Sequence, residues 1–238
     1  MKLNVVTIVY NDVNGIGLTL NSIISNRQYI DKYIVIDGGS KDGTLDVLKN
    51  REAEIDVLIS EKDAGIYDAM NKALKYCDKD SKILFLNSSD YFEPNILSVV
   101  KPKLMGGDIT HGMINFVRGG EIIRSQGRHS SCLDLMMIEH PASFVHYNVF
   151  SELKGFNVKY KSAADYDFML RAKSKNFTFC YLPIVITNFD MTGVSSTSIN
   201  AAIESLKVRR LHGNLTWLRY YLLMTELKVK SFIKRLFL

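Results

Sequence analysis

The sequence predicts an α/β fold with a mixed sheet whose N-terminal half is parallel, followed by C-terminal helices. Through the first ninety residues, short apolar runs alternate with segments of helical periodicity, the pattern of a doubly wound parallel sheet. Farther along, Arg118-Gly119-Gly120 joins two apolar runs by a hairpin-type link, which requires antiparallel pairing. The length of 238 residues suits one large domain with a small appendage.

The first half is predicted to be a series of four strands and three helices. Strands are expected where apolar and β-branched residues run together without alternation, as in a sheet buried on both faces. Helices are expected where apolar residues recur every three or four positions. The expected strands are residues 3–9, 33–36, 56–59 and 83–86, and the expected helices are residues 14–26, 40–52 and 66–76. Short links and right-handed crossovers make the four strands parallel.

The second half is predicted to be mixed in strand direction. A helix is expected at residues 93–104, interrupted near Pro102, and a Thr-, Ser- and Gly-rich loop at residues 190–197. The expected strands are residues 108–117, 121–125, a short run after His140, and residues 177–182 and 184–188 on either side of Pro183; the expected helices are residues 148–154 and 165–175. We divide the chain into a main domain at residues 1–198 and a basic amphipathic helical segment at residues 199–238.

Charge and cysteine content limit the classes of protein to consider. The net charge is +5, but residues 1–200 carry 22 basic and 23 acidic side chains, whereas residues 201–238 carry 8 and 2. A nearly neutral body argues against nucleic-acid binding. The three cysteines form no CxxC pair and indicate buried thiols in a reducing compartment. Without a signal-peptide pattern or a run of roughly 18 apolar residues, the expected location is cytoplasmic.

Three acidic residues follow the carboxyl ends of different predicted strands: Asp37, Asp63 and Asp90. Because parallel strands end at the same edge of a sheet, where open α/β folds bind ligands, we expect these carboxylates to lie near one another. They would repel unless a cation or hydrogen-bond donors compensate them. The sequence contains no GxGxxG after the first strand and no P-loop. A divalent cation that neutralises a nucleotide diphosphate is therefore the expected ligand.

Five segments in order resemble the family 2 glycosyltransferases, which are inverting enzymes with the Rossmann-like GT-A fold. They are residues 6–11 (VTIVYN), 36–44 (IDGGSKDGT), 61–72 (EKDAGIYDAMNK), 85–90 (FLNSSD) and 164–167 (ADYD). Several ordered motifs are more specific than any one alone. Within the family, the third and fourth segments look most like those of enzymes that assemble bacterial capsule, exopolysaccharide or lipopolysaccharide chains.

The resemblance implies a nucleotide-diphosphate sugar donor, usually a UDP-sugar, and a saccharide acceptor. Six positions would bind the donor: Thr7 and Asn11 at the nucleoside, Asp37 at the base, and Asp63, Gly65 and Asn71 over the ribose and diphosphate. Asp90 would hold Mg²⁺ or Mn²⁺. Asp165 would be the general base that takes a proton from the acceptor, and His140 would contact the acceptor.

The chain departs from the family pattern at the predicted metal site. Asn87 and Ser89 stand where the family often has acids, which leaves Asp90 as the one carboxylate of that motif. Mg²⁺ can be held by one protein carboxylate together with substrate phosphates and waters. We therefore expect weak metal binding unless the donor sugar is present. The usual Glu before the base is Ala164, which removes a like charge beside Asp165.

Each assignment has a structural alternative, and the function has two. Asp90 and Asp165 could be helix N-caps, Asp37 a turn residue, and His140 a structural side chain. A sugar-nucleotide-forming nucleotidyltransferase would share the sheet and the metal, but it would need a glycine-rich basic loop after the first strand, which residues 10–14 do not supply. The acids lost at Asn87 and Ser89 favour a non-catalytic sugar-nucleotide-binding or scaffold protein.

The C-terminal segment is predicted to be a basic amphipathic helix at residues 215–236. One apolar stripe contains Leu215, Leu218, Leu222, Val229, Ile233 and Leu236, and a second contains Tyr220, Leu223, Met224 and Leu227. One stripe is expected to pack on the body. The other would meet an anionic inner leaflet, as suits an enzyme with lipid-linked acceptors, so peripheral attachment through residues 214–238 is one interpretation. A packed helix or a homodimer contact is the alternative.

Overall fold

The computed structural model describes residues 1–192 and 199–236, with side chains described up to residue 230. The strands are β1 (Lys2–Val9), β2 (Lys32–Asp37), β3 (Val57–Ser60), β4 (Ser81–Phe85), β5 (Tyr91–Phe92), β6 (Ile109–Arg118), β7 (Glu121–Gln126), β8 (Ser143–His146) and β9 (Phe179–Asp190). The helices are α1 (Ile16–Ser25), α2 (Thr44–Asn50), α3 (Ile66–Ala73), α4 (Ile96–Val100), α5 (Tyr147–Leu153), α6 (Ala164–Ser174), α7 (Ile199–Leu211) and α8 (Trp217–Leu236).

These strands form one mixed sheet in the order β3-β2-β1-β4-β8-β6-β9-β5, with β7 paired to β6. The first four strands are parallel to one another, as predicted. The direction reverses at β8, which is antiparallel to both β4 and β6, and β9 is then parallel to β6. The predicted α/β fold with a parallel N-terminal half is confirmed. The ends of β1, β2, β3 and β4 with the loops that follow them are called the carboxyl edge below.

Helices cover both faces of the sheet, which explains why the predicted strands lack alternation. On one face, Val6 and Ile8 of β1 belong to an apolar layer that includes residues of α3, α5, α6 and α7. On the other, Val5 and Val9 pack with residues of α1, α2 and α4. Neighbouring side chains of β1 are thus buried on opposite faces. The two layers separate the elements that carry Asp165 from those around Asp90.

Three structural features differ from the sequence prediction. Pro183 does not divide two strands, because β9 continues through it. The register between β6 and β9 shifts at this point. Proline, which lacks an N–H, is tolerated at such an irregularity of the sheet. The short strand β5 was not predicted, and α7 was predicted only as part of the helical segment at residues 199–238, without bounds of its own. The apolar residues of α7 do not fall on a single stripe, so periodicity gave no signal. Of the predicted loop at 190–197, residues 193–197 lie outside the described part.

The predicted C-terminal helix is present as α8 and follows α7 after a short turn. In the described part of the chain, no helix combines the length and apolar character needed to cross a membrane.

Candidate active site

Asp165 lies in the first turn of α6 and is hydrogen bonded to α3. Its Oδ1 accepts bonds from the Tyr67 hydroxyl at 3.0 Å and from the Tyr166 amide at 2.9 Å. Burial and the nearby Asp165 carboxylate raise the pKa of Tyr67 well above its ordinary value. Tyr67 therefore keeps its proton and remains a donor. No hydrogen bond within the described residues engages Oδ2 of the half-buried Asp165, so this oxygen can accept a proton from a ligand.

His140 lies beside this carboxylate at the end of β4. Its ring stacks on Phe85, with centroids 6.0 Å apart, and meets the edge of Phe156 at 5.8 Å. Burial lowers the pKa of His140, and the charge of Asp165 opposes that shift only in part. A neutral imidazole therefore stands near Asp165. The structure brings together the predicted base, the predicted acceptor residue and Tyr67.

Two acidic residues, Asp37 and Asp63, lie at the ends of β2 and β3. Asp37 is fully buried, and its carboxylate accepts bonds from the amides of Gly39 and Ser40 and from the Ser60 hydroxyl at 2.6 Å. Asp63 lies against the same turn, because a Cβ added at Gly38 would be 2.6 Å from Asp63 Oδ2. Asp37 thus fixes the turn between the two strand ends, and Asp63 stands beside it.

Gly65 begins the segment that leads from Asp63 to Tyr67. Its amide donates to Asp63 Oδ1 at 2.9 Å, and its φ of +127° is a backbone conformation that residues other than glycine rarely adopt. The glycine therefore allows the chain to turn from the carboxyl edge directly into α3.

Side chains join the loops of the carboxyl edge to one another. The Asn11 amide donates to Ser40 Oγ, and Asn11 Oδ1 accepts from the Lys41 amide. Asp12 Oδ2 accepts from the hydroxyls of Ser88 at 2.6 Å and Ser89 at 2.9 Å. The loops after β1, β2 and β4 are therefore linked into one rim.

Two predicted donor contacts lie elsewhere. Thr7 has no exposed surface, and its hydroxyl donates to the Leu86 carbonyl and accepts from the Tyr33 hydroxyl. The amide group of Asn71 donates to the Phe156 carbonyl and accepts from the Phe156 N–H. Both side chains are occupied by internal hydrogen bonds. They support the rim and the contact of α3 with the α5–α6 connection rather than open onto a ligand.

Asp90 is enclosed on the other side of the sheet from Asp165. It is 4% exposed, its Oδ1 accepts from the Asp190 amide at 3.0 Å, and its carbonyl accepts from Thr19 of α1. Burial, together with the charges of Asp190 and Asp12, raises the pKa of Asp90 well above its ordinary value. Asp90 thus lies near Asp12 and Asp190, whereas Asp37 and Asp63 form a separate pair.

The donor atoms near Asp90 fit a divalent ion only in part. Within the described residues, no three His, Cys, Asp or Glu side chains form a group that could hold a metal. Asn87 Oδ1, however, is buried without a hydrogen-bond partner in that part of the chain. Mg²⁺ is often held by one or two protein ligands plus substrate phosphates. The residues therefore fit an ion held mainly by a bound diphosphate, and they do not fit a site made by the protein alone.

Sequence reasoning missed Tyr67 and Asp12 as residues of the site. Tyr67 lies inside the quoted motif EKDAGIYDAMNK, two positions after Gly65, and Asp12 directly follows Asn11. A tyrosine at the start of a helix is no signal of its own. Its role depends on Asp165, which is 98 positions away in the sequence.

Known proteins with similar sequences are glycosyltransferases. An uncharacterized glycosyltransferase of Mycobacterium tuberculosis is 31% identical over 207 residues, which cover 82% of this chain and 77% of that protein. A PGL/p-HBAD biosynthesis glycosyltransferase of Mycobacterium bovis is 27% identical and covers 70% of this chain and 68% of its own length.

Solved structures share the fold at low sequence identity. Staphylococcus aureus TarS 1–349 in complex with UDP-GlcNAc superposes with a TM-score of 0.71 at 18% identity over 89% of this chain, and this chain spans just under two thirds (66%) of that one. A mannosyltransferase from Pyrobaculum calidifontis in complex with GDP-Man and Mn²⁺ gives a TM-score of 0.63 at 15% identity, with coverage of 87% and 62%. The GT-A fold implied by the sequence motifs is thus confirmed.

The family model for glycosyl transferase family 2 matches residues 4–172, a stretch that contains most of β1, all of β2 to β8 and nearly all of α6. Because this match covers most of the chain and agrees with the relatives and with the fold, the protein belongs to glycosyltransferase family 2 and is a glycosyltransferase.

Proposed function

We propose that this glycosyltransferase is an inverting enzyme that moves a sugar from a UDP-sugar to a saccharide acceptor in cell-surface polysaccharide biosynthesis. The observation that carries the proposal is the carboxylate of Asp165, held through Oδ1 by Tyr67 with Oδ2 left for a ligand. The name of the Mycobacterium bovis relative supports a glycolipid or saccharide product, and the UDP-GlcNAc complex of TarS supports the donor class.

In the proposed reaction, Asp165 Oδ2 removes the proton from an acceptor hydroxyl. The resulting oxygen attacks the anomeric carbon, a new C–O bond forms with inversion, and the bond to the diphosphate oxygen breaks with its electron pair. The proton remains on Asp165 until it is released to solvent. Tyr67 donates to the other carboxylate oxygen throughout, which keeps the base in one orientation. His140, neutral and beside the base, would orient the acceptor hydroxyl.

The donor would lie along the carboxyl edge. Asn11, Asp63 and Gly65 would form its nucleoside side. The fully buried Asp37 would hold the turn beneath the base, and Thr7 and Asn71 would support these residues from behind. A Mg²⁺ or Mn²⁺ ion held by the donor's diphosphate, with Asn87 Oδ1 and Asp90 as its protein ligands, would supply neutralisation of the departing diphosphate. Asn87 Oδ1, which is buried without a hydrogen-bond partner in the described residues, supports this ligand set.

We also propose that α8 attaches the enzyme to an anionic membrane surface on the cytoplasmic side. Trp217, Leu218, Tyr221, Leu222 and Val229 are exposed, whereas the other apolar stripe (Tyr220, Leu223, Met224 and Leu227) is half-buried. Exposed basic side chains border the exposed stripe: Arg219, Lys228 and Lys230. This combination of an apolar face, aromatic residues and flanking positive charge fits an anionic lipid surface.

Sedimentation with vesicles tests the membrane proposal. The protein should bind vesicles that contain phosphatidylglycerol and not those of phosphatidylcholine alone. Leu218→Glu should release it, whereas Asn50→Glu, an equal charge change at an exposed site on α2, should not. If Leu218→Glu instead dissociates a dimer in sedimentation velocity and vesicle binding is absent, the stripe is a homodimer contact.

A donor panel tests the catalytic proposal. UDP-, GDP- and dTDP-sugars are incubated with saccharide acceptors and Mn²⁺ or Mg²⁺, and nucleoside diphosphate release and the anomeric configuration of the product are measured. We expect release that requires a UDP-sugar and an acceptor together, with inverted product. Donor binding without turnover for any acceptor would support the non-catalytic alternative, and retained configuration would remove the inverting mechanism.

A further inference from the structure

Helix α7 contacts the segment that carries Asp165 through one face. Glu204, Val208 and His212 are spaced four residues apart, and the His212 amide continues the helical pattern by donating to the Val208 carbonyl. Residues at this spacing share a face of a helix. Val208 is fully buried in the apolar layer that also contains Phe168 and Met169 of α6. The two polar residues lie on either side of this apolar contact.

Glu204 binds the chain just before α6. Its carboxylate accepts from the Lys161 amide at 3.0 Å and from the Ser162 amide at 2.7 Å. It is the one acidic residue of α7, a helix whose last turn is basic. Hydrogen bonds to a charged acceptor are about twice as strong as neutral ones. Because Lys161 is exposed and Ser162 half-exposed, water can replace Glu204 there, so loss of this contact would loosen the segment without unfolding the protein.

His212 binds the chain just after Asp165. Its Nε2 lies 2.9 Å from Oδ1 of the buried Asp167, whose Oδ2 accepts from Arg171 Nε at 2.8 Å. Arg171 in turn donates to the Leu153 and Gly155 carbonyls. Burial opposes ionisation of Asp167, but the hydrogen bonds from His212 and Arg171 prevail and hold its pKa below its ordinary value. The first turn of α6 is therefore tied to α7 and to the α5–α6 connection.

We infer that Glu204 and His212 are positioning residues that hold the backbone of Asp165 in place. Glu204 holds the chain three residues before Asp165, and His212 holds it two residues after. The inference rests on the proposed role of Asp165 as base. Neither residue touches the reacting atoms. Tyr67 fixes only Oδ1, so the direction of Oδ2 depends on the backbone that α7 holds. The functional boundary of the catalytic domain then lies after His212 rather than at residue 198.

Steady-state kinetics of Glu204→Ala and His212→Ala test this inference. A small displacement of a catalytic group can lower the rate about 100-fold, so we expect kcat to fall 10- to 100-fold. The donor KM should stay within about twofold, because the donor contacts the carboxyl edge and not α7. His212→Gln should restore part of kcat, since a glutamine amide can donate to Asp167. Lys207→Ala, on an exposed part of α7, is the matched control and should behave as the parent protein.

A double variant separates positioning from general stability. If Glu204 acts through Asp165, then Asp165→Asn/Glu204→Ala should be no slower than Asp165→Asn alone. Should His212→Ala fail to fold, Glu204→Ala carries the comparison by itself, and His212→Gln remains the variant expected to keep part of kcat. Unchanged kcat in the α7 variants while Asp165→Asn is inactive would overturn the inference, as would a parallel loss of kcat, donor affinity and Tm. Turnover by Asp165→Asn would instead overturn the proposed base.

Discussion

The two ends of the parallel strands both bury polar side chains, but they differ in whether those side chains are paired. At the amino edge, where β1 and β4 begin, Asn4 accepts from the Asp78 amide at 2.7 Å and from Ser81 Oγ, and it donates to the Asp78 carboxylate. Lys82 is fully buried there and donates to Thr110 Oγ1 and to the Gly106 carbonyl. Each of these buried groups has protein partners.

Near the carboxyl edge, two oxygens have no partner within the described residues. Asn87 Oδ1 is buried at the edge itself, and Oδ2 of the half-buried Asp165 lies on the neighbouring first turn of α6. An unpaired buried polar atom costs about 1–3 kcal/mol, so a fold tolerates it most readily where a ligand supplies the partner. The comparison indicates that buried polarity by itself does not mark a functional site. Unmet hydrogen-bonding capacity also occurs in the middle of the sheet, at His111 and Thr187, so it supports a ligand site only where strand ends also place one. The two edges should therefore respond differently to substitution.

The largest expected difference is between Asp165→Asn and a matched change at the amino edge. We expect Asp165→Asn to lower kcat about 10³-fold, the scale of general-base catalysis, with little change in donor affinity or Tm. Asp80→Asn removes an exposed acid at the amino edge and should leave kcat unchanged. Steady-state kinetics and calorimetry measure both. Normal turnover by Asp165→Asn would contradict the assignment of the base to Asp165.

Lys82 predicts a pH effect on stability at the amino edge. Burial lowers the pKa of Lys82 from 10.5 to about 8. Between those pH values the unfolded chain holds a proton on Lys82 that the folded protein has lost, so Lys82 by itself should make the free energy of unfolding rise with pH, by about 3 kcal/mol at most. Burial raises the pKa of Cys77 from 9.0 to about 12, so Cys77 makes the opposite contribution above pH 9. Below pH 8, where Lys82 is charged in both the folded and the unfolded state, its burial lowers the free energy of unfolding by a constant amount.

Denaturant unfolding of the parent protein and of Lys82→Met at pH 8, 9 and 10.5 isolates this contribution, because every other titrating group is common to both. The difference in free energy of unfolding between the two should change by that amount across the range, whereas the difference between the parent and Lys79→Met, at an exposed position, should stay constant. An equal rise in Lys82→Met would show that another group is its source. No change in kcat is expected from either variant at pH 7.5.

Much of this arrangement could be predicted from the sequence. The first four strands could be placed because both of their faces are buried and their links are short, and this also placed Asp37 and Asp63 at one edge. Asp165 was predicted to be the base through its motif. Pro183 suggested a strand break, because the sequence does not reveal that the β6–β9 register shifts at that point.

The parts that could not be predicted depend on contacts between distant segments. Tyr67 meets Asp165 across 98 positions, and Asp90 is turned inward by the amide of Asp190, 100 positions away. The same holds for Glu204 and its bonds to residues 161 and 162, across more than 40 positions. Local patterns report burial and periodicity, but they do not report which polar groups meet.

Asn4→Ala should affect stability and leave catalysis unchanged. The substitution removes three hydrogen bonds and leaves the Asp78 amide without its acceptor, which should lower the free energy of unfolding by about 2 kcal/mol. Denaturant unfolding measures the loss, and Asn50→Ala, at the exposed end of α2, is the matched control. A fall in kcat with unchanged stability would contradict the division between the two edges.

The smallest expected effect belongs to Asp90. This acid lies at the carboxyl edge, but it is buried and hydrogen bonded within the protein, as Asn4 and Lys82 are at the amino edge. Its pKa is raised by burial and by Asp190 and Asp12, and an acid of this kind lowers stability as pH rises through its folded-state pKa. Asp90→Asn should therefore raise Tm at alkaline pH and have no effect at low pH.

If Asp90 also holds the ion, the donor Kd in Mn²⁺ should rise about tenfold in Asp90→Asn, and the Kd in EDTA should not change. Isothermal titration measures both constants. An equal loss under both conditions would mean that Asp90 acts on the donor without metal, and no loss in either would leave Asn87 as the ligand to test.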